Sequence, residues 1–402
     1  MKKIIRTAVV GLGNRGSYFC KQYDDEKAGF RLAAVCDLSQ KALNKVREKF
    51  GDRIAYHTDL NRMLAVPDID AVLIATSDAH HVAPVLASLR AGKHVLVEKP
   101  LCQTLEDALK IRRAVLDARG VFMIGFELRN CPVFEEMKRL IDEGRIGRVM
   151  IGHAFDNVSV GGDYYYHHPR HQKKYFRSLL LQKASHSLDL LNWFMGSHPV
   201  KVYGIGGMDF YGGKESSKLQ CRNCRRKDCP YRVQHKAFQL DYGEASEVED
   251  YCVWSREMDL NDNSELAITY ANGGKATFHE CHFTPDYSRE FWLTGDKGRL
   301  YGYYDNPGRF LIRIQYSHQK HQRVEEFKPA HTGGGHGGGD ERLRTEFFRR
   351  IMTGDTDHNA CCFELGYYST VLAACAEDSI ESGLPVNIPP MIERGRQLRK
   401  KT

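Results

Sequence analysis

The segment "VLVEKPL" at Val95–Leu101 ends an apolar run in an acid, a base and a proline. Runs this apolar are typical of strands buried on both faces of a parallel sheet, so Glu98 and Lys99 are unexpected there. An ammonium group at a strand end can stabilise a developing alkoxide and lower the pKa of a neighbouring base. The segment therefore marks Lys99 as a candidate catalytic residue, the alternative being a lysine that reaches solvent.

A second candidate site is the pattern GxGxxG formed by Gly11, Gly13 and Gly16, between a predicted strand and a predicted helix. In a dinucleotide site these glycines allow a tight turn, close approach of a pyrophosphate and close helix–strand packing. The helix N-terminus offers amide donors to phosphate. Asp37 ends the next predicted strand at about the spacing of the acid that binds the ribose hydroxyls. A carboxylate would repel a 2′-phosphate, so NAD is expected over NADP; an ordinary glycine turn is the alternative.

Three cysteines, Cys221, Cys224 and Cys229, lie in a basic segment with few strand-forming residues. Three thiolates at this spacing suit structural zinc, which takes four nitrogen or sulfur ligands. Cys252 is the preferred fourth ligand and His235 the alternative. Free reduced thiols are an equal alternative, and an iron–sulfur centre is a third.

Composition and charge are those of a globular protein. Of the 402 residues, 42% are hydrophobic and 27% are charged. The net charge is +7, but the sequence has no long basic run, so nucleic acid is not an expected partner. Arg6, Asn14 and Arg15 interrupt the apolar start, which argues against a signal peptide. The sequence has no apolar run long enough to span a membrane. Twelve cysteines without an export signal indicate reduced thiols, and cytoplasm is expected.

Residues 1–125 alternate strand and helix patterns, which predicts an α/β Rossmann domain with a doubly wound parallel sheet. Thr104 is the predicted N-cap of one helix and Gly120 its stop. The apolar strand runs are "RTAVVGLG", "RLAAVCD", "DAVLIAT", "KHVLVEKP" and "VFMIGF".

Residues 126–402 are predicted to form a second, α+β domain with a large, mostly antiparallel open sheet. The sequences "ELAITYANGGKATFHECHF" and "REFWLTGDKGRLYGYYD" each indicate two strands about a turn. The domain carries the cysteine-rich insert at about 215–235, and its closing helices are expected at about 340–383.

Thr76–Ile111, which contains the EKP motif, closely resembles the signature region of the Gfo/Idh/MocA oxidoreductases. These are named for glucose–fructose oxidoreductase, inositol dehydrogenase and a rhizopine-catabolism protein. The resemblance continues through Gly125–Phe134, Arg145–Val149, Ser185–Gly196 and "GLPVNIP", so it covers most of the chain. It implies an N-terminal Rossmann domain, a C-terminal domain whose open sheet often makes oligomer contacts, and hydride transfer between nicotinamide and a sugar or cyclic polyol.

The resemblance implies that Lys99 binds the reacting hydroxyl and that His186 is the catalytic histidine; a core histidine that caps its helix is the alternative. Asp189, one helical turn further on, is a candidate to orient His186 or to balance its charge. An imidazole can take a hydroxyl proton near neutral pH. Many members carry an aspartate one turn before this histidine, where the chain has Gln182; Lys183 is the candidate replacement or a structural lysine. The cofactor is expected against Gly11, Gly13, Asn14, Arg15, Gly16, Asp37, Thr76, His81, Glu98 and Lys99.

Two loops are candidates for substrate binding. In the segment 161–176 aromatic faces can stack on sugar C–H surfaces and polar tips can bind hydroxyls. The expected contacts are Tyr164, Tyr166, His168 and Arg170; a surface loop or subunit interface is the alternative. The glycine loop around His336 resembles one that sugar-acting relatives place near the active site. It is expected to be either a lid, since glycines make it flexible, or a plain linker. Asp340 is the expected N-cap of the helix that follows the loop.

The sequence thus predicts an NAD-dependent oxidoreductase for a sugar, glycoside or cyclic polyol, assembled as a homodimer or homotetramer. One alternative is a redox-neutral enzyme that cleaves or epimerises a glycoside and recycles its bound NAD. A second alternative is a non-catalytic regulatory protein that responds to NAD or sugar. Retention of both Lys99 and His186 argues against the regulatory protein, because a sensor needs neither a base nor an alkoxide stabiliser.

Overall fold

The computed structural model describes a six-stranded sheet, a nine-stranded sheet, a separate two-stranded pair and the helices that pack around them. The described residues are 4–159, 165–168, 172–233, 238–239, 245–246, 249–305, 308–316, 323–331 and 333–391. The strands are β1 Ile5–Val10, β2 Phe30–Cys36, β3 Ala55–His57, β4 Ala71–Ile74, β5 His94–Glu98, β6 Phe122–Gly125, β7 Val149–Val158, β8 Pro199–Gly207, β9 Phe238–Gln239, β10 Ala245–Ser246, β11 Asn263–Tyr270, β12 Lys275–Cys281, β13 Tyr287–Gly295, β14 Gly298–Asp305, β15 Phe310–Tyr316, β16 Val324–Phe327 and β17 Val386–Asn387. The helices are α1 Asn14–Gln22, α2 Gln40–Phe50, α3 Leu60–Leu64, α4 Val82–Arg90, α5 Leu105–Leu116, α6 Pro132–Asp142, α7 Lys173–Phe176, α8 Leu179–Gln182, α9 Ser185–Met195, α10 Gly339–Thr353 and α11 Asn359–Ser382.

The first six strands form one parallel sheet in the order β3-β2-β1-β4-β5-β6. This is the doubly wound order of a Rossmann domain, in which ligands bind beyond the carboxyl ends of the strands where the order reverses, between β1 and β4. The predicted fold class is confirmed. Its short edge strand β3 was not anticipated from the sequence. The boundary at residues 125 and 126 stays a prediction.

The second sheet has nine strands in the order β16-β15-β14-β13-β7-β12-β11-β8-β17. Among its described pairings only β12 with β7 is parallel, so the sheet is mostly antiparallel, as predicted. The buried helix α9 and the long helix α11 pack on one face, against β7 and β8. No helix of the described ranges is long and apolar enough to cross a membrane.

Helix α10 carries the C-terminal part of the chain back to the first domain. Phe347 on α10 stacks on Phe30 of β2, with ring centroids 6.4 Å apart, and is fully buried. Helix α10 begins at Gly339 with Gly338 as its N-cap. Asp340 is therefore not the N-cap that the sequence suggested. It lies in the first turn of α10, where its carboxylate pairs with Arg15 and His336.

Helix α5 confirms one of its two predicted boundaries. Thr104 is its N-cap, as predicted, and the Thr104 side chain accepts a hydrogen bond from the backbone N–H of Asp107. The helix ends at Leu116, before the expected stop at Gly120. A Cβ on Gly120 would lie 2.5 Å from the carbonyl oxygen of Lys93, so this glycine serves close packing instead.

Candidate active site

The glycine turn between β1 and α1 has the geometry of a dinucleotide cradle. Gly11 has φ +87°, and a Cβ there would lie 2.6 Å from the backbone nitrogen of Thr76. A Cβ on Gly16 would lie 1.7 Å from the carbonyl oxygen of Gly11. Nothing in the described chain lies within 4 Å of a Cβ on Gly13, so the space above Gly13 is open. Two glycines therefore close the turn, and the third leaves room for a pyrophosphate at the N-terminus of α1.

Asp37 lies beside this cradle, just after β2. Its Oδ2 accepts a hydrogen bond from the backbone N–H of Leu12 at 2.7 Å, and its Oδ1 accepts one from Ser39 at 2.7 Å. Across the cradle, Thr76 Oγ1 is buried and has no hydrogen-bond partner in the described part of the chain. The open turn, the fixed carboxylate and the free hydroxyl fit NAD. Asn14, the first residue of α1, is exposed at the same edge.

Three other residues expected against the cofactor, His81, Arg15 and Glu98, also make contacts within the protein around the lysine segment. The buried ring of His81 places Nδ1 2.7 Å from the carbonyl oxygen of Pro100 and Nε2 3.1 Å from that of Thr76. Arg15 donates from Nε to Glu98 Oε1 at 2.5 Å and also pairs with Asp340. These contacts hold the end of β5 in place, and their roles toward a cofactor stay predictions.

Lys99 follows β5 directly and reaches toward the second domain. Its Nζ donates a hydrogen bond to the backbone carbonyl of Gln182 at 2.5 Å, at the end of α8 and one turn before His186. Burial lowers the pKa of Lys99, although Asp78 and Glu127 oppose the shift. The ammonium is thus held next to the helix that carries the histidine.

His186 lies in the first turn of α9 and is 4% exposed. Burial, together with the charge of Lys99, lowers the pKa of His186 well below its usual value. The imidazole is therefore neutral at neutral pH, which a base requires. Its Nε2 lies 3.4 Å from Oε1 of Glu127, and its Nδ1 has no hydrogen-bond partner among the described residues.

Asp189 does not contact His186. It receives hydrogen bonds from Arg129, from Nε to Oδ2 at 2.6 Å and from the terminal nitrogen to Oδ1 at 2.9 Å. The expectation that Asp189 orients the histidine was wrong, because both carboxylate oxygens of Asp189 are engaged by Arg129 instead. Burial raises the pKa of Asp189, against the opposing charge of Arg129.

Glu127 is the site residue that sequence reasoning missed. It begins a 3-10 turn, Glu127–Asn130, immediately after β6 and is 1% exposed. Its Oε1 lies between two imidazoles, 3.4 Å from Nε2 of His186 and 3.1 Å from Nε2 of His336. A signal was present, since Glu127 follows a parallel strand next to β5, at the edge where such sheets bind ligands.

His336 arrives from the glycine loop, as the resemblance implied. It has φ +51°, a left-handed conformation that is uncommon outside glycine, and its Nδ1 lies 2.9 Å from Asp340 Oδ2. A Cβ on Gly339 would lie 2.2 Å from the carbonyl oxygen of Glu127, and one on Gly337 2.8 Å from Cys131 Sγ. The glycines therefore allow the loop to pack closely on Glu127, which favours a fixed support over an open lid.

Lys183 is buried in a polar cluster beside His186. Its Nζ donates to the hydroxyl of Tyr287 at 2.9 Å and lies 3.7 Å from Oδ1 of Asp156. Arg289 contacts the same carboxylate at 3.4 Å. Although burial opposes it, Arg289 and Lys183 lower the pKa of Asp156. The cluster fixes Lys183, and its proposed part in catalysis stays a prediction.

One of the four substrate contacts expected in the segment 161–176 is excluded by its position in the structure. Tyr166 is fully buried, donates its hydroxyl to the carbonyl of Asn261 at 2.9 Å and stacks on Tyr211 at 4.2 Å. Tyr166 is therefore a core residue, and the expectation that it contacts substrate was wrong. His168 is partly exposed. Tyr164 and Arg170 lie outside the described residues.

Four cysteines, Cys221, Cys224, Cys229 and Cys252, line one cavity of about 50 Å³. The alternative fourth ligand, His235, lies outside the described residues. Within the described ranges, one group brings three His, Cys, Asp or Glu donors within 4.8 Å of one another, and it consists of Glu127, His186 and His336. The thiols therefore share a cavity without being at the mutual spacing of a closed metal site.

Comparisons with known proteins agree with this arrangement. The family model for the oxidoreductases with an NAD-binding Rossmann fold, GFO_IDH_MocA, matches residues 5–126. The model for the GFO/IDH/MocA C-terminal domain matches residues 134–301. A nucleotide-binding parallel sheet joined to this second domain defines a class of NAD(P)-dependent oxidoreductases. The chain belongs to the Gfo/Idh/MocA family, as the two models together span most of it.

Among curated relatives, the putative oxidoreductase YteT of Bacillus subtilis is 26% identical, over 87% of this chain and 89% of that protein. Inositol 2-dehydrogenase 2 of Saccharopolyspora erythraea is 32% identical over 50% of this chain and 59% of its own length. The chain thus spans little more than half the length of the inositol dehydrogenases that it matches. A levoglucosan dehydrogenase solved with NADH and levoglucosan has 19% identity and a TM-score of 0.73, over 96% of this chain and all of that one, which shows a shared fold.

Proposed function

We propose that the protein oxidises a hydroxyl group of a sugar, glycoside or cyclic polyol with NAD, and that Lys99 and His186 act on the reacting hydroxyl. One observation carries the proposal. Lys99 is hydrogen-bonded to the end of α8, one turn before His186, which is buried and neutral. Both residues lie beside the open glycine turn that forms the dinucleotide cradle. The relatives named for inositol and levoglucosan support the substrate class.

Each residue has a role that follows from its surroundings. Bound NAD would supply the hydride acceptor for the carbon that bears the hydroxyl. The Lys99 ammonium donates a hydrogen bond to the hydroxyl oxygen and stabilises its developing negative charge. The neutral His186 takes the hydroxyl proton. Asp37 binds the ribose hydroxyls and disfavours a 2′-phosphate, so NAD is preferred over NADP.

The test is absorbance near 340 nm with NAD and a panel of glycosides, hexoses and inositols, repeated with NADP. Many NADH molecules per active site support a dehydrogenase and identify its substrate class. A burst no larger than the enzyme concentration, with sugar still consumed, supports the redox-neutral cycle instead. Binding of NADH without consumption of any sugar supports the regulatory alternative. Equal catalytic efficiency with NADP contradicts the role of Asp37.

We also propose that the four cysteines hold structural zinc, with Cys252 as the fourth ligand. Their shared cavity supports this, since zinc takes four nitrogen or sulfur ligands. Elemental analysis of purified protein should find about one zinc per chain. Cys224→Ser should lose it, whereas Cys361→Ser, at an exposed cysteine, should retain it. Less than ~0.3 equivalents in the unaltered protein contradicts the site.

The protein is proposed to form a homodimer or homotetramer through the open face of the second sheet. Apolar side chains that this face leaves exposed include Ile151 and Phe155 on β7 and Tyr203 and Ile205 on β8. Exposed apolar residues gathered on one sheet face are typical of an interface.

A further inference from the structure

Glu127 is the one described carboxylate placed to act on His186. Asp189 is held by Arg129, and position 182 is an amide. Glu127 Oε1 lies 3.4 Å from Nε2 of His186, a separation typical of catalytic hydrogen bonds before substrate binds. A carboxylate at Nε2 favours the tautomer with a proton on Nε2. That tautomer leaves Nδ1, which has no partner in the described ranges, free to accept a proton.

The same oxygen of Glu127 connects His186 to a second imidazole. It lies 3.1 Å from Nε2 of His336, whose Nδ1 lies 2.9 Å from Asp340. The side chains of His186, Glu127 and Asp340 are 5%, 1% and 1% exposed, whereas that of His336 is 18% exposed. Of these four groups, His336 is therefore the one that reaches water.

The charges around Glu127 allow it to exchange a proton near neutral pH. Burial raises the pKa of Glu127 to about 7, against the opposing charges of His336 and Arg15. Although burial opposes it, Glu127 and Asp340 raise the pKa of His336 to about 9. The groups that face Glu127 come from five elements and are Arg15 on α1, Glu98 and Lys99 at the end of β5, His186 on α9, His336 in the glycine loop and Asp340 on α10.

We propose that Glu127 is the positioning residue of His186, and that Glu127 and His336 form the path by which the substrate proton leaves the site. The inference rests on the proposed function. The hydroxyl proton moves to Nδ1 of His186, the Nε2 proton of His186 moves to Oε1 of Glu127, and His336 releases a proton to water and is reloaded from Glu127. After the product leaves, Nδ1 gives its proton to water and Nε2 takes one back, which restores the starting tautomer of His186 with no further net proton change. The carbon–hydrogen electron pair leaves as hydride for the nicotinamide, so a carbonyl forms and one proton is released.

The first test compares Glu127→Gln, Glu127→Asp and a matched control, Glu135→Gln, which removes a half-exposed carboxylate of α6 that pairs with Arg342 and does not contact the histidines. We expect Glu127→Gln to lower kcat by at least ~10²-fold, the scale of losing general-base catalysis, with KM and NADH affinity within ~3-fold. Glu127→Asp should restore at least ~10-fold of that loss, and Glu135→Gln should match the unaltered enzyme. A kcat for Glu127→Gln within ~3-fold of the unaltered value overturns the proposal.

The second test does not depend on turnover. Nuclear magnetic resonance of protein labelled with ¹⁵N-histidine, with signals assigned through His186→Gln and His336→Gln, reports tautomers and pKa values. We expect neutral His186 to carry its proton on Nε2. We also expect the pKa of His336, about 9, to fall by at least ~1 unit in Glu127→Gln. A proton on Nδ1 of neutral His186, or an unchanged His336, overturns the proposal even in an active enzyme.

The two tests separate the inference from the proposed function. If no sugar or polyol is oxidised while the histidine signals behave as expected, the proposed function fails and the positioning role of Glu127 stands. Elemental analysis tests the remaining alternative, in which Glu127, His186 and His336 together bind a divalent metal ion. Arg15, 3.7 Å from Glu127, and the neighbouring Lys99 disfavour such an ion. A stoichiometric metal that Glu127→Gln removes and Glu135→Gln retains overturns the proposal.

Discussion

Lys99 follows β5 of the first sheet, whereas His186 lies on helix α9, which packs on the second sheet, and both are expected to act on one hydroxyl. We predict that Lys99→Ala and His186→Ala each lower turnover by at least ~10²-fold, because either change removes a group that handles the transition-state charge or proton. The measurement is the initial rate of NADH formation at saturating NAD. Lys110→Ala, at an exposed lysine of α5, is the matched control and should be as active as the unaltered enzyme. Unaltered rates in either active-site variant contradict the assignment.

The pH dependence of oxidation follows from the same histidine. Burial and Lys99 lower the pKa of His186 well below 6.5, so the imidazole stays unprotonated and competent until the pH falls past that value. His186 therefore gives no acid limb near neutral pH, whereas Glu127, with a pKa of about 7, must be ionised to act on His186. We predict that kcat/KM for oxidation by the unaltered enzyme falls as the pH drops through about 7, and that the Glu127→Gln variant loses this limb and declines only on the acid side of 6.5. A profile of kcat/KM against pH from 4.5 to 9 checks this. An acid limb with a midpoint at or above 7 that persists in Glu127→Gln would mean that the base is another group.

At the scale of elements, two glycines in the turn between β1 and α1 have different roles: Gly13 is expected to matter for cofactor binding and Gly16 for the stability of the fold. Gly13 has φ −65°, which alanine adopts freely, and a Cβ there meets no protein atom of the described chain within 4 Å. We predict that Gly13→Ala leaves the melting temperature within ~2 °C but weakens NADH binding by at least ~10-fold, since the methyl group occupies the approach of the pyrophosphate.

Gly16→Ala is the contrasting variant, because its Cβ would lie 1.7 Å from the carbonyl oxygen of Gly11. It should lower the melting temperature by several degrees through displacement of the turn. Thermal unfolding and NADH fluorescence titration of both variants make the comparison. Unchanged NADH affinity in Gly13→Ala would show that the open turn is not the cofactor site.

At the scale of the whole molecule, the open face of the nine-stranded sheet is the surface that a subunit would cover. Ile205 is 55% exposed and lies two residues from Tyr203 on β8, and Phe155 is exposed on the same face three strands away. We predict that Ile205→Lys raises the dissociation constant of the oligomer by at least ~10-fold, because a charge would be buried in an apolar contact. Light scattering with size-exclusion chromatography measures this, and Leu116→Lys, at an exposed leucine of α5, is the control. A monomeric unaltered protein contradicts the interface.

The sequence by itself was enough to predict the architecture and two local motifs, the lysine segment at Lys99 and the glycine turn Gly11–Gly16. Strand and helix periodicity, with glycine and N-cap signals, is a property of neighbouring residues, so the parallel sheet, the strand pairs of the second sheet and the N-cap at Thr104 were predictable. The positions of Lys99 and Gly11–Gly16 followed for the same reason, because parallel strands place their carboxyl ends at one edge of the sheet.

Only the tertiary structure decided which side chains meet. Arg15 and Asp340 are 325 positions apart, and no local pattern indicates that α10 returns to the first domain. Its return brings His336 to Glu127 and gives His186 a carboxylate that position 182 lacks. Packing likewise turned Asp189 toward Arg129 and buried Tyr166. Partners of this kind depend on how whole elements pack, whereas residue type and spacing carry information only along the chain.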